Sequence, residues 1–86
     1  MVGEIVFSKA GRDRNKAMVI TAVTENYLLV CDGKERRLER PKRKNPKHLQ
    51  FTGLSLEPHR FETNRALRKA LKAYSYEEEK LCQNQI

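Results

Sequence analysis

The sequence has no tryptophan, and its aromatic residues are three tyrosines and three phenylalanines. Proteins that hold single strands by base stacking need a platform of rings, and this chain has too few to build one. It has two cysteines, Cys31 and Cys82, far apart and without a CxxC partner or a histidine at metal-ligand spacing, so the usual zinc arrangements are excluded. Histidine is equally scarce, with only His48 and His59. No Ser-His-Asp spacing stands out, and Ser8, Ser55 and Ser75 lack a GxSxG context. Neither a GxxxxGKS/T phosphate loop nor a GxGxxG turn occurs. The expectation is a protein that is not an enzyme, with no cofactor and no small-molecule substrate. At 86 residues a single domain buries only about 60–65% of its unfolded surface, so its core is thin and a deep enclosed cavity is not expected. The opening "MVGEIVFSKAGR" has no apolar h-region. No run approaches the roughly 18 apolar residues of a membrane span. A cytoplasmic protein with reduced thiols and no membrane partner is expected.

Positive charge is what the chain has in quantity. It carries 18 Lys+Arg against 11 Asp+Glu, a formal net charge of +7, which attracts polyanions. The charge is uneven. Residues 1–33 hold four cations and four acids, residues 34–48 hold eight cations and two acids, and residues 75–86 hold one cation and three acids. Even the neutral first third concentrates its cations in one stretch, "SKAGRDRNKAMVI" (Ser8 to Ile20), where Lys9, Arg12, Arg14 and Lys16 face a single acid, Asp13. A turn needs only residues that bend, and glycine or asparagine supplies that without charge. Gly11 and Asn15 are the two positions that tolerate a left-handed backbone here. The guanidinium fork matches phosphate geometry and also stacks on bases. The bland alternative is a solvated turn with surface ion pairs worth ~0–1 kcal/mol each.

The second cationic stretch is "ERRLERPKRKNPKH", with Arg36, Arg37, Arg40, Lys42, Arg43, Lys44, Lys47 and His48. Pro41 and Pro46 keep it extended and lower the entropy lost on ordering it. A segment of this kind can lie along a phosphate backbone, and together with the first turn it would form one footprint.

The first half reads as β. "EIVFS" (Glu4 to Ser8), "AMVITAVT" (Ala17 to Thr24) and "NYLLVCD" (Asn26 to Asp32) are apolar and rich in β-branched residues. Glu25-Asn26 makes a tight connection between the second and third. Asp32-Gly33 is a two-residue hairpin signal leading into "ERRL" as a fourth strand, in which Arg36 and Arg37 would face opposite sides. "HLQFT" (His48 to Thr52) is a fifth. Short strands at close spacing suggest a small barrel. "GLSLEPHR" reads as a loop. "TNRALRKALKAY" (Thr63 to Tyr74) reads as a helix capped by Thr63 or Asn64, with Phe61 bracing its start. Leu67, Ala70, Leu71 and Tyr74 form its apolar stripe. Arg65, Arg68, Lys69 and Lys72 repeat the same spacing on a neighbouring face. The tail "SYEEEKLCQNQI" has weak periodicity and reads as frayed or disordered.

"GEIVFSKAGRDRNKAMVITAVTENYLLV", Gly3 to Val30, resembles the KOW motif, a strand, a glycine-centred basic loop and a second strand. With "NYLLVCDG" and "RPKRKNPKHLQ" it is similar to one branch, large ribosomal subunit protein fourteen-e of archaea and eukaryotes and its small bacterial relatives, the KOW-domain RNA-binding proteins. The likeness covers about residues 3–52. It implies a mainly β fold, an SH3-like (KOW-type) barrel of about five strands over residues 1–54. After residue 52 the likeness fades, and the chain's own pattern gives a loop, an amphipathic helix (about 63–74) and an acidic tail over residues 55–86. The likeness also implies that the loop around Gly11 meets ribosomal or other structured RNA. Gly11 matches the motif glycine, Lys9, Arg12, Arg14 and Lys16 its basic loop, and Asp13 its acidic position. Asn15 stands where many relatives have a second glycine.

The resulting expectation is an RNA-binding protein of translation or ribosome assembly, with ribosomal RNA and ribosomal proteins as partners. One alternative is an adaptor that grips a protein through the apolar stripe of the helix. The other is a DNA-binding module, for which no helix-turn-helix or zinc spacing speaks, while the basic face Arg65, Arg68, Lys69 and Lys72 leaves it open.

Overall fold

The computed structural model describes residues 2–11 and 14–84, with side chains as far as residue 74. Strands β1 (Glu4–Ser8) and β2 (Ala17–Val23) pair antiparallel, placing Ile5 opposite Val19, Val6 opposite Met18 and Phe7 opposite Ala17. Successive side chains point to opposite faces, yet Ala17, Met18, Val19 and Ile20 are all buried. Both faces of this pair are covered, which is why the run is continuously apolar rather than alternating. On one face Val6, Met18 and Ile20 pack with Leu28, Val30 and Leu49. On the other, Ile5, Ala17, Val19 and Cys31 pack with Leu56, Leu67, Ala70 and Leu71, edged by Phe7, Leu38, Phe61 and Tyr74.

The second face is covered by helix α1 (Asn64–Asn84). Thr63 caps it, its hydroxyl accepting from the Ala66 N–H at 3.1 Å and its carbonyl from the Leu67 N–H at 3.0 Å. The stripe predicted from spacing is the buried one. Burial of Leu67 and Leu71 is worth about 3–6 kcal/mol in all, and it turns these two side chains and Ala70 onto the sheet. The helix runs to Asn84, past the end expected at Tyr74. The periodic stripe ends at Tyr74, but Glu, Lys, Leu and Gln favour a helix by propensity alone.

Strands β3 (Leu28–Cys31), β4 (Lys42–Lys44) and β5 (Leu49–Ser55) complete an antiparallel sheet in the order β4-β3-β2-β1-β5. The turn at Glu25-Asn26 is closed by Thr24, whose N–H and hydroxyl both donate to the Tyr27 carbonyl. Edge strands β4 and β5 are joined by Asn45 and a single 3-10 turn, Pro46–His48. A flat five-strand sheet is about 19 Å wide, and so short a link, much of it rising only about 2 Å per residue, cannot cross it. The sheet is therefore strongly curled, but it is open: among the described residues no ladder joins β4 to β5.

The fourth strand differs from expectation. "ERRL" is not a strand, and β4 instead forms within the basic stretch, just after Pro41. The cause is Asp32, whose carboxylate accepts from the N–H groups of Lys34 and Arg36, both at 2.8 Å. That wraps residues 32–36 into a wide turn in competition with ladder pairing. Leu38 is then drawn toward the helix, its N–H donating to Asn64 Oδ1 at 2.8 Å. The alternation expected of Arg36 and Arg37 has no strand to act on. The fifth strand begins one residue later than expected and runs on to Ser55, through the first part of the expected loop. The rest of that loop includes a second 3-10 turn, Pro58–Phe61. No helix among the described residues is long and apolar enough to cross a membrane.

Candidate nucleic-acid interface

Strand direction decides which loops meet. β1 ends at Ser8, β2 begins at Ala17, β3 ends at Cys31 and β4 begins at Lys42. In an antiparallel sheet these four termini lie at one end, so the β1–β2 loop and the β3–β4 connection emerge together. Residues 24–27 turn at the opposite end.

The β1–β2 loop is built on two left-handed residues, Gly11 (φ 77°) and Asn15 (φ 67°), as their identities predict. Asn15 is the sole non-glycine among the described residues with positive φ. The loop closes on Ser8, whose carbonyl accepts from the Asn15 N–H at 2.8 Å, while the Arg14 N–H reaches the Gly11 carbonyl at 3.2 Å. Lys9, Arg14 and Asn15 are exposed. Arg12 and Asp13 lie outside the described residues.

Two contacts fasten this loop to the second basic stretch. The Lys9 N–H donates to the His48 carbonyl at 2.7 Å. The Lys44 ammonium crosses the open seam of the sheet and donates to Ser8 Oγ at 3.2 Å and the Ala10 carbonyl at 3.4 Å. Lys47 and His48, both exposed, are thereby held beside Lys9. Asn45 caps their turn, its side chain accepting from the Lys47 N–H at 3.0 Å.

Not every expected contact residue faces outward. Lys44 is 8% exposed and acts within the chain. Lys16 pairs with Glu35 at 2.8 Å, which ties the base of the β1–β2 loop to the β3–β4 turn. Arg36 and Lys42 are half-buried, and Arg37 and Arg40 are exposed on the β3–β4 connection. Arg43 is exposed with its guanidinium 4.7 Å from the centroid of the Tyr27 ring. One face of that ring is therefore covered by a cation.

Sequence reasoning kept the cations that α1 brings to the same end only as an opening for DNA binding and gave them no part in the RNA contact. Gly33 packs so closely on the start of α1 that an added Cβ would lie 2.5 Å from the Asn64 carbonyl oxygen and 3.2 Å from Arg68 Cγ. The result is an open groove of about 510 Å³ lined by Lys16, Asp32, Lys34, Glu35, Arg68 and Lys72 among others. A second, shallower depression is lined by Arg65, Arg68, Lys69 and Lys72 alone. Those four are exposed and stand at i, i+3, i+4 and i+7, where like charges repel by about 0.2–0.5 kcal/mol per pair. The helical spacing of these cations was visible in sequence, but their position beside the β3–β4 turn was not.

Cys31 is a free, buried thiol. Burial pushes it above its ordinary range, and the nearby carboxylates of Asp32 and Glu39 add to the effect against a hydrogen bond with Thr21. No protein-family model matches the chain, and no curated protein matches it in sequence.

Proposed function

We propose that the protein is a non-enzymatic RNA-binding module that contacts the phosphate backbone of ribosomal or other structured RNA, in translation or ribosome assembly. The curled sheet with a 3-10 turn between its two edge strands is read as an SH3-like barrel of the KOW type. The observation that carries the reading is the junction of the two basic stretches. Lys9, Arg14, Lys47 and His48 come together on a loop and a turn that hold each other by backbone and ammonium hydrogen bonds. Preorganised cations lose little freedom when they meet phosphate, and Arg14 adds a fork that suits it. The scarcity of open rings argues for contact with backbone and shape over stacking of single strands.

The test is the salt dependence of binding to a structured RNA. Affinity should fall linearly on a log–log plot, and Arg14→Ala with Lys47→Ala should flatten the slope by roughly 1.4–1.8 if each neutralises one phosphate. Both residues are exposed, so the fold is unaffected. An unchanged slope in the double variant would remove the junction as the contact.

A further inference from the structure

We infer that the first three turns of α1 are a second phosphate-contacting surface, so that a folded RNA seated on the barrel end continues across the helix. This inference rests on the reading above and names cations that reading leaves out: Lys34, Arg65, Arg68, Lys69 and Lys72.

Charge placement on the helix is the first support. From Asn64 to Tyr74 there are four cations and no acid, and the first turn has no acidic residue. A helix that only needs solubility alternates its signs, so that residues three and four apart attract. Here every such exposed pair is cation against cation: Arg65 with Arg68 and Lys69, and Lys72 with Arg68 and Lys69. The placement also opposes the macrodipole, which favours acids near the start of a helix and cations near its end. This chain reverses both, with the acids Glu77, Glu78 and Glu79 far down the helix and no basic residue in the last turn. An arrangement unfavourable to the isolated helix becomes favourable once a polyanion lies on it.

Continuity is the second support. Arg68 and Lys72 line both the groove shared with Lys16 and Lys34 and the depression shared with Arg65 and Lys69. The tight seat of Gly33 on the start of α1 fixes that junction, and the Lys16–Glu35 pair fastens the groove to the β1–β2 loop. The cationic surface thus passes from loop to helix through Lys34, Arg68 and Lys72, with Asp32 and the Lys16-paired Glu35 interspersed in the groove. Arg65 and Lys72 are about 10 Å apart along the helix axis, which lengthens the contact line beyond a single loop. The partner that fits is the backbone of double-stranded or compactly folded RNA, read by charge and shape.

The test uses the full chain, a structured RNA hairpin and three variants: Arg65→Gln, Arg68→Gln, Lys69→Gln and Lys72→Gln together; Arg14→Ala with Lys47→Ala; and both sets combined. Glutamine keeps helix propensity, and far-UV circular dichroism should show the same helix content as the parent. With two or more phosphates contacted by α1, the helix variant should bind roughly 10- to 30-fold more weakly near physiological salt, with a slope reduced by at least about 1.4. The combined variant should lose more than either set alone. If the parent binds and the loop variant weakens while the helix variant matches the parent in affinity and slope, the helix surface is refuted and the barrel-end reading stands. A parent that binds no RNA overturns both. If sedimentation at low salt shows a parent dimer that the helix variant cannot form, with RNA affinity unchanged, the cations serve the acidic segment of a second copy and the inference falls.

Discussion

Gly33 and Gly53 allow the docking of α1 to be measured apart from backbone strain. Both have left-handed φ, 78° and 77°. An alanine at either position therefore carries the same conformational penalty, about 1–2 kcal/mol. Their surroundings differ. At Gly53 an added Cβ meets nothing within 4 Å, whereas at Gly33 it would lie 2.5 Å from the backbone carbonyl of Asn64. That oxygen belongs to the first residue of α1 and cannot swing aside, so the turn and the helix must separate. Forcing a methyl into a packed contact costs about 1–3 kcal/mol more. Gly33→Ala should therefore destabilise the protein by about 2–5 kcal/mol and Gly53→Ala by about 1–2 kcal/mol. A domain of this length has roughly 4–13 kcal/mol in total. Urea denaturation followed by far-UV circular dichroism measures both variants, and a lower m-value in Gly33→Ala would show that helix surface is already exposed before unfolding. Equal midpoint shifts for the two variants would refute the claim that the β3–β4 turn and the helix are locked together.

Two further outcomes follow from groups buried near the same end. Lys44→Met keeps the aliphatic stem but removes the charged donor to Ser8 and Ala10; hydrogen bonds of that kind are worth about 1.5–3 kcal/mol, so urea denaturation should show a loss of that order, and a variant as stable as the parent would mean the ammonium does not hold the seam. The raised pKa of Cys31 means that folding favours the neutral thiol: its contribution is full below the unfolded thiol's pKa and is lost as pH rises through the higher folded value. Unfolding free energy should thus fall on the alkaline side of the ordinary thiol range, and Cys31→Ala should show a shallower fall than the parent across the same pH series.

The parts legible in the sequence were those set by local chemistry. Gly11 and Asn15 announced a left-handed loop, and both are left-handed. The apolar residues of α1 announced their own burial through their spacing, and the β-branched runs of β1 to β3 announced a sheet. What misled was competition between local signals and distant partners. Asp32-Gly33 looked like a two-residue hairpin, but the carboxylate of Asp32 captures two later N–H groups and Asn64, far along the chain, takes the N–H of Leu38. Composition also could not separate the two kinds of lysine. Lys44 and Lys47 belong to one basic run, yet one spans a seam and the other faces solvent. Only the curl of the sheet, which brings β4 back toward Ser8, distinguishes them. The nearness of Lys34 to Arg68 and Lys72 was hidden for the same reason, since it depends on how helix and turn pack.

The double covering of β1 and β2 limits how this molecule can be divided. Leu56, Leu67, Ala70 and Leu71 share one cluster with Ile5, Val19 and Cys31, so the strands that frame the cationic loop stay dry only while the chain beyond residue 54 lies over them. Excising the strand-rich portion as a portable unit would strip an oily wall bare and invite it to clump. Transplanting the loop alone would leave behind the lysine that braces it. The strands and the start of α1 thus act as one folded piece.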